Sequence, residues 1–236
     1  MTSGAGGAIV GAREGDATVI HVVEQGEYMA KIAKRYGFVD WRTIWQHPQN
    51  SALRSRRPNP NVLHPGDEVF VPERELKDVS RSTDQRHRFQ VKRPKLRLAL
   101  VLDQIYKERL ASVECVLRVA GRDVTQPTDG GGKIVLDIPP DAHEGVLIVR
   151  NSSTAFDDAV IPFHVGNLDP VEEESGQRAR LNNLGYFAGP FEGNDDAANA
   201  KAFKSAIEEF QCDYDLVVDG KCGPATQAKL KEVHGS

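Results

Sequence analysis

Val69-Phe70-Val71 stands between Pro65-Gly66-Asp67 and Pro72, and this short strand with hard stops at both ends most constrains the fold. Pro-Gly-Asp reads as a turn, and a proline directly after an apolar run ends a strand. So short a strand needs a partner, and a two-stranded ribbon needs something to cover one face. "TVIHVVEQGE", Thr18 to Glu27, supplies the partner and runs into a glycine turn. Between the strands, "EYMAKIAKRYGF" places Met29, Ile32, Ala33 and Tyr36 on one helical face, with Gly37 at the C-cap position. "DWRTIWQHP" is a second short helix, with Asp40 as N-cap, Trp41, Ile44 and Trp45 on one face, and Pro48 as its stop. The expectation is a β-α-α-β unit over residues 19–73.

The chain has 236 residues, enough for two or three small domains. A 39% apolar and 27% charged composition is ordinary for a globular protein, and a net charge of −4 argues against a nucleic-acid binder. Cys115, Cys212 and Cys222 make no CxxC pair and no metal-ligand spacing, so reduced thiols are expected, with a Cys212–Cys222 bridge as the alternative. Residues 1–18 lack a basic n-region and read as a flexible arm, not a signal peptide. No run approaches the ~20 apolar residues of a membrane helix. Cytoplasmic synthesis without a leader is the expectation.

Residues 74–86 are polar, without apolar periodicity, and read as a linker. Residues 87–166 form a series of strand candidates: "HRFQVKRP", "KLRLALVLD", "SVECVLRVAGRDVTQ", "GKIVLDIPP" and "GVLIVRN". "PTDGGGKI" is expected as a glycine-rich hairpin tip between "GRDVTQ" and "KIVLDI", within a small antiparallel β-sandwich. Residues 167–236 turn helical. One helix runs through Leu181 and Leu184 to Gly185, a second spans about Ala197 to Phe210, and a third starts at Pro224. The fold class read from these blocks is multidomain α+β.

Particular motifs add to this reading. The V-x-x-G-E turn, "IAKRYGF", "NPNVL" and "PGDEVFVP" resemble, in order and spacing, a LysM module of βααβ fold. The resemblance implies a groove for N-acetylglucosamine-containing glycans, lined by Gly26, Glu27 and Tyr28 on one side and Asn59, Pro60, Asn61, Val62 and Leu63 on the other. "SALRSRRP" is longer than the family's usual loop and carries Arg54, Arg56 and Arg57, a solvated basic loop or a protein contact. The T-D-x-x-G turn of the middle block is similar to transthyretin-like or carboxypeptidase-regulatory-like sandwiches, and a spacer role is expected for it. "RLNNLGY", "GPFEG", Phe210-Gln211 and "VVDGKCGPAT" resemble the three-helix peptidoglycan-binding bundle often appended to cell-wall hydrolases. "EGNDDAANA" departs from that family's pattern. The resemblance points to Tyr186, Phe187, Asp219 and Gly220 as wall contacts; the alternative is that the aromatics pack the core and Asp219–Gly220 is only a turn.

Catalytic patterns are missing from the sequence. There is no HExxH, no zinc-spaced Cys/His pair and no GxSxG, and Asp195–Asp196 and Asp213–Asp215 lie in hydrophilic, turn-like sequence. The expectation is a non-enzyme without cofactor or metal, binding peptidoglycan without entering a membrane. The order of the blocks is similar to small proteins that accompany type VI secretion spikes. That resemblance implies delivery to the periplasm by a contractile injection system, with spike, baseplate or effector proteins as partners. The alternative is a structural hub or effector-loading adaptor whose modules bind protein in place of glycan.

Overall fold

The computed structural model describes residues 19–74, 80–88, 95–102, 109–150, 158–190 and 197–236. The expected arm at 1–18, the centre of the expected linker at 75–79, most of the first expected strand of the middle block at 89–94, and the Asp195–Asp196 pair lie outside those residues. The described residues combine helices with antiparallel sheets, an α+β architecture.

In the first block β1 (Val19–Val22) pairs antiparallel with β2 (Glu68–Val71), Val19 opposite Val71. Helices α1 (Met29–Arg35) and α2 (Arg42–Trp45) lie between them in sequence. Met29, Ile32, Ala33, Ile44 and Trp45 close with Val69 and Val71 into one core, the apolar cover a two-stranded sheet requires. The expected N-cap at Asp40 is corrected: Trp41 holds the N-cap position of α2, and Asp40, one residue earlier, accepts the Arg42 N–H at 3.0 Å. Where a basic loop was expected, the chain makes a 3-10 turn (Pro48–Asn50) and a further helix, α3 (Ser51–Arg56). Two contacts explain it. Leu53 enters the core, and Arg54 donates to the Trp45 and His47 carbonyls left open by α2. Buried Asn50 then ties these helices to β2: its amide donates to the Ile44 and Phe70 carbonyls, each at 2.8 Å, and its oxygen accepts the Phe70 N–H.

The middle block holds two sheets. β3 (Leu96–Val101) pairs with β6 (Lys133–Ile138), while β4 (Glu114–Val119), β5 (Arg122–Pro127), β7 (Glu144–Val149) and β8 (Ala159–His164) form an antiparallel sheet in the order β5-β4-β7-β8. Leu98, Leu100 and Ile134 of the small sheet meet Cys115, Leu117 and Leu147 of the large one in a shared apolar layer. The expected hairpin across "PTDGGGKI" is corrected: β5 and β6 belong to different sheets. The tight hairpin instead joins β4 to β5 through Ala120 and Gly121, both at positive φ (50° and 71°), with Val119 opposite Arg122. Asp129 accepts the Gly131 and Lys133 N–H groups, so the glycine-rich turn carries the chain from one sheet to the other.

In the last block α4 (Glu174–Asn183), α5 (Ala197–Asp213) and α6 (Pro224–His234) surround Val171, Leu181, Ala206, Ile207, Phe210 and Leu230. Pro224 begins α6 as its first residue, and Gly185 ends the first turn after α4 at φ 90°.

The first and middle blocks share a core of their own. Tyr28 is 1% exposed and packs with Ala30 against Val119, Ile138, Ala142 and Val165. Its hydroxyl lies 2.9 Å from the Pro140 carbonyl oxygen and 3.0 Å from that of Ala142, so its one proton is shared between them. Burial, with the nearby Asp141 carboxylate, pushes the phenol up to about 12. Lys34 pairs with Asp141 at 2.5 Å, and Gln25 donates to Asp169 at 3.3 Å. Tyr28→Phe should cost about 1–3 kcal/mol by stranding two buried carbonyls, and Tyr28→Ala about 3–5 kcal/mol. Urea unfolding of the full chain checks both; equal costs for the two substitutions would show that the ring contributes nothing beyond its hydroxyl.

Candidate functional site

Two loops of the first block face each other as the groove reading requires, joined by the Met29 N–H donating to the Pro60 carbonyl at 3.0 Å. The eight residues expected to line that groove are not equally accessible. Asn61 is exposed and Gly26, Asn59 and Pro60 are half-buried, whereas Glu27, Tyr28, Val62 and Leu63 are buried. Tyr28 is taken up by the middle block, as described above, and Leu63 by the core of its own block. Gly26, at φ 79°, abuts the Asn167 side chain; a β-carbon there would collide with it.

Glu27 is bound on both carboxylate oxygens. His21 Nε2 lies 2.6 Å from Oε2, which also accepts the Glu24 N–H at 3.0 Å, and Arg35 donates to Oε1 at 3.2 Å. Burial alone would raise its pKa, but the hydrogen bonds and the charges of His21 and Arg35 prevail and hold the carboxyl below its ordinary range. Beside it runs an open groove of about 420 Å³, lined by Glu24, Gln25, Glu27, Lys31, Lys34, Arg35 and Asp141. Each of its cations has an internal partner: Lys31 the Gly26 carbonyl, Lys34 Asp141, and Arg35 Glu27.

The three arginines beyond α2 also have partners within the fold, although Arg56 stays largely exposed. Arg54 holds the α2 carbonyls, and Arg56 and Arg57 both pair with buried Asp67 at 3.0 Å. Nothing in their composition signals this. The clue is Asp67 in the Pro-Gly-Asp turn, an acid that the fold buries beside β2 and that therefore needs a cation.

In the last block, Tyr186 and Phe187 take different roles. Tyr186 packs edge-on against Phe210 at 5.6 Å and its hydroxyl donates to Asp213 Oδ2 at 2.7 Å, joining the turn after α4 to the end of α5. Burial and this bond to a carboxylate raise its pKa strongly. Phe187, the next residue, is 74% exposed.

The Asp219–Gly220 turn hangs from one buried side chain. Gln211 Oε1 accepts the Asp219 and Gly220 N–H groups at 3.0 Å each, and its Nε2 reaches Asp219 Oδ1, the Lys221 carbonyl and Thr226 Oγ1 at 2.8–3.1 Å. Asp219 is held low in pKa by the Gln211 amide and the Lys221 N–H, so it stays ionised. This clamp explains the Phe210-Gln211 pair read from the sequence: the phenylalanine fills the core and the glutamine shapes the loop. What sequence reasoning missed here are Val217 and Val218, 82% and 54% exposed on the same loop. A pair of valines in a polar turn was the available signal.

Among the described residues no group of three His, Cys, Asp or Glu could hold a metal ion, and no helix is long and apolar enough to cross a membrane.

Residues 178–230, from α4 into α6, match PG_binding_1, a family of peptidoglycan-binding domains. The matched span contains the Tyr186–Asp213 bond and the Gln211 clamp. No curated protein and no solved structure matches the chain. The last block is thus similar, over residues 178–230, to peptidoglycan-binding domains.

Acid should loosen this domain through His234. The Asn183 amide donates to its Nε2 at 3.1 Å, leaving Nδ1 to donate to Ser236 Oγ at 2.6 Å, so the ring is neutral. Burial, with nearby Arg180, lowers its pKa to about 4 from an ordinary 6.5. The unfolded chain therefore binds the proton first, and this stability is full above 6.5 and lost as pH falls toward 4. Melting followed from pH 7 to pH 4.5, above the range of the depressed carboxylates, should show a falling midpoint that His234→Gln flattens.

Proposed function

We propose that this chain is a non-catalytic bacterial peptidoglycan-binding protein in which residues 178–230 hold the wall. The single observation that carries the reading is the coincidence of the family match with a rigidly braced loop pair bearing exposed apolar side chains. In this reading residues 19–73 are a LysM-like module that adds a glycan contact through the open part of its groove, Gly26 and Asn59–Asn61. The middle block acts as a spacer and Tyr28 docks the first module onto it, so the two wall contacts are held at a fixed separation, a geometry that favours avidity on a periodic polymer.

A second reading is supported by the burial of Glu27, Tyr28, Val62 and Leu63. Half of the expected groove is engaged with protein, here the chain's own, as in an adaptor whose first module holds protein in place of sugar. The proposal extends this to an accessory or effector-loading role beside a contractile secretion apparatus, with spike, baseplate or effector proteins as partners and delivery to the periplasm by that machine. That extension rests on the block order.

Co-sedimentation with purified sacculi tests the proposal. The full chain should pellet with the wall above an albumin control, and absence of pelleting refutes it. Asn61→Arg, on the exposed rim of the first groove, should weaken pelleting by less than about three-fold, under 1 kcal/mol. A larger loss would move the principal contact from the last block to the first.

A further inference from the structure

Among the described residues of the last block, Phe187, Val217 and Val218 are the exposed large apolar ones, and several buried interactions hold the segments that bear them. Phe187 follows Tyr186, which is fixed by its bond to Asp213 and its ring contact with Phe210. Val217 follows Leu216, whose N–H donates to the Gln211 carbonyl at 2.8 Å, and Val218 precedes the Asp219 turn that the Gln211 side chain grips. Asp215, at φ 54°, turns the chain between these anchors. The Tyr186–Asp213 bond ties the turn that bears Phe187 to the C-terminal end of α5, from which the segment bearing Val217 and Val218 departs. Exposed apolar side chains on a framework this well tied cost little conformational entropy to bind with, unlike the same side chains on a free loop.

The surrounding charge narrows the ligand. From Asp213 to Lys221 the chain carries three carboxylates, Asp213, Asp215 and Asp219, against one ammonium, Lys221. The neighbouring cations are already engaged: Lys204 pairs with Glu208, and Lys229 with Glu232 while lying over the Tyr214 ring. A glycan strand whose lactyl groups are amide-linked to peptides carries no cation to pair with these carboxylates. The stem peptide offers what the patch lacks: alanine methyl groups for Phe187 and the valines, and the free ammonium of its diamino acid for the carboxylates.

Resting on the wall-binding reading above, we infer that the last block recognises the stem peptide of peptidoglycan, its methyl groups on Phe187, Val217 and Val218 and its ammonium among Asp213, Asp215 and Asp219. The contact is then ionic as well as apolar, and it weakens with salt.

The test compares the full chain on three probes: untreated sacculi, sacculi whose free amines have been N-acetylated, and the neutral sugar oligomer chitotetraose. Binding to untreated sacculi should fall about ten-fold on N-acetylation, on the order of one lost charge contact, and chitotetraose should not compete. Phe187→Ser and Val217→Thr, both at surface positions, should each weaken binding to untreated sacculi about ten-fold with unchanged melting. Asp215→Asn, which tolerates the same backbone, should weaken binding to untreated sacculi and leave the acetylated ones unaffected. Equal binding to native and acetylated sacculi, or competition by chitotetraose that Phe187→Ser abolishes, overturns the stem-peptide assignment while wall binding stands. No binding to untreated sacculi defeats the wall-binding reading itself.

Discussion

The placement of Tyr28 is the constraint on which the arrangement of this chain depends. Its ring is the one large side chain of the first block set wholly into the apolar layer of the second, and its hydroxyl satisfies carbonyls in the β6–β7 connection. The contacts around it are of the same kind. Gly166 lies so close to the Tyr28 ring that a β-carbon there would strike it, and Gly26 sits as close to Asn167. Lys34–Asp141 and Gln25–Asp169 close the rim. What reads as two modules separated by a polar linker is, among the described residues, a pair of blocks joined through a shared apolar core.

Three buried polar side chains do for the loops what Tyr28 does for the blocks. Asn50 binds the helices of the first block to β2, and Gln211 shapes the turn that carries the exposed valines. Arg180, fully buried, donates to the Asp169 and Gly176 carbonyls at 2.8 and 2.7 Å; burial lowers its pKa to about 10, still charged at neutral pH. Each of these groups would be costly to bury alone and each finds backbone partners that would otherwise be unsatisfied. The loops they organise can therefore be irregular in sequence and still be presented in one conformation, which a binding surface requires.

Much of this was legible in residue order. Alternation and turn residues located β1, β2 and most strands of the middle block, and the 3.6-residue period located α1 and the three C-terminal helices. The failures share one cause. α3 was hidden because its only apolar anchor is Leu53 and its arginines look like solvent-facing charge until their carbonyl and carboxylate partners are known. The β4–β5 hairpin was hidden inside one apolar run because Ala120, not a typical turn former, takes a positive φ beside Gly121. The glycine-rich turn misled in the other direction: its residues permit a hairpin, and only strand pairing decides that it crosses between sheets instead.

Sequence by itself determined the local elements and the character of the last block, because periodicity, caps and the Phe210-Gln211 pair act over a few residues and survive in any context. The accessibility of the sites was decided only by the tertiary structure. Tyr28 and Phe187 are both aromatics beside glycine turns and were read alike as contact residues, yet one is buried against a neighbouring block and the other projects into solvent. That difference depends on which surfaces meet across more than a hundred residues of chain, and no local pattern encodes it: whether an apolar side chain is core or contact is a property of what the fold brings against it.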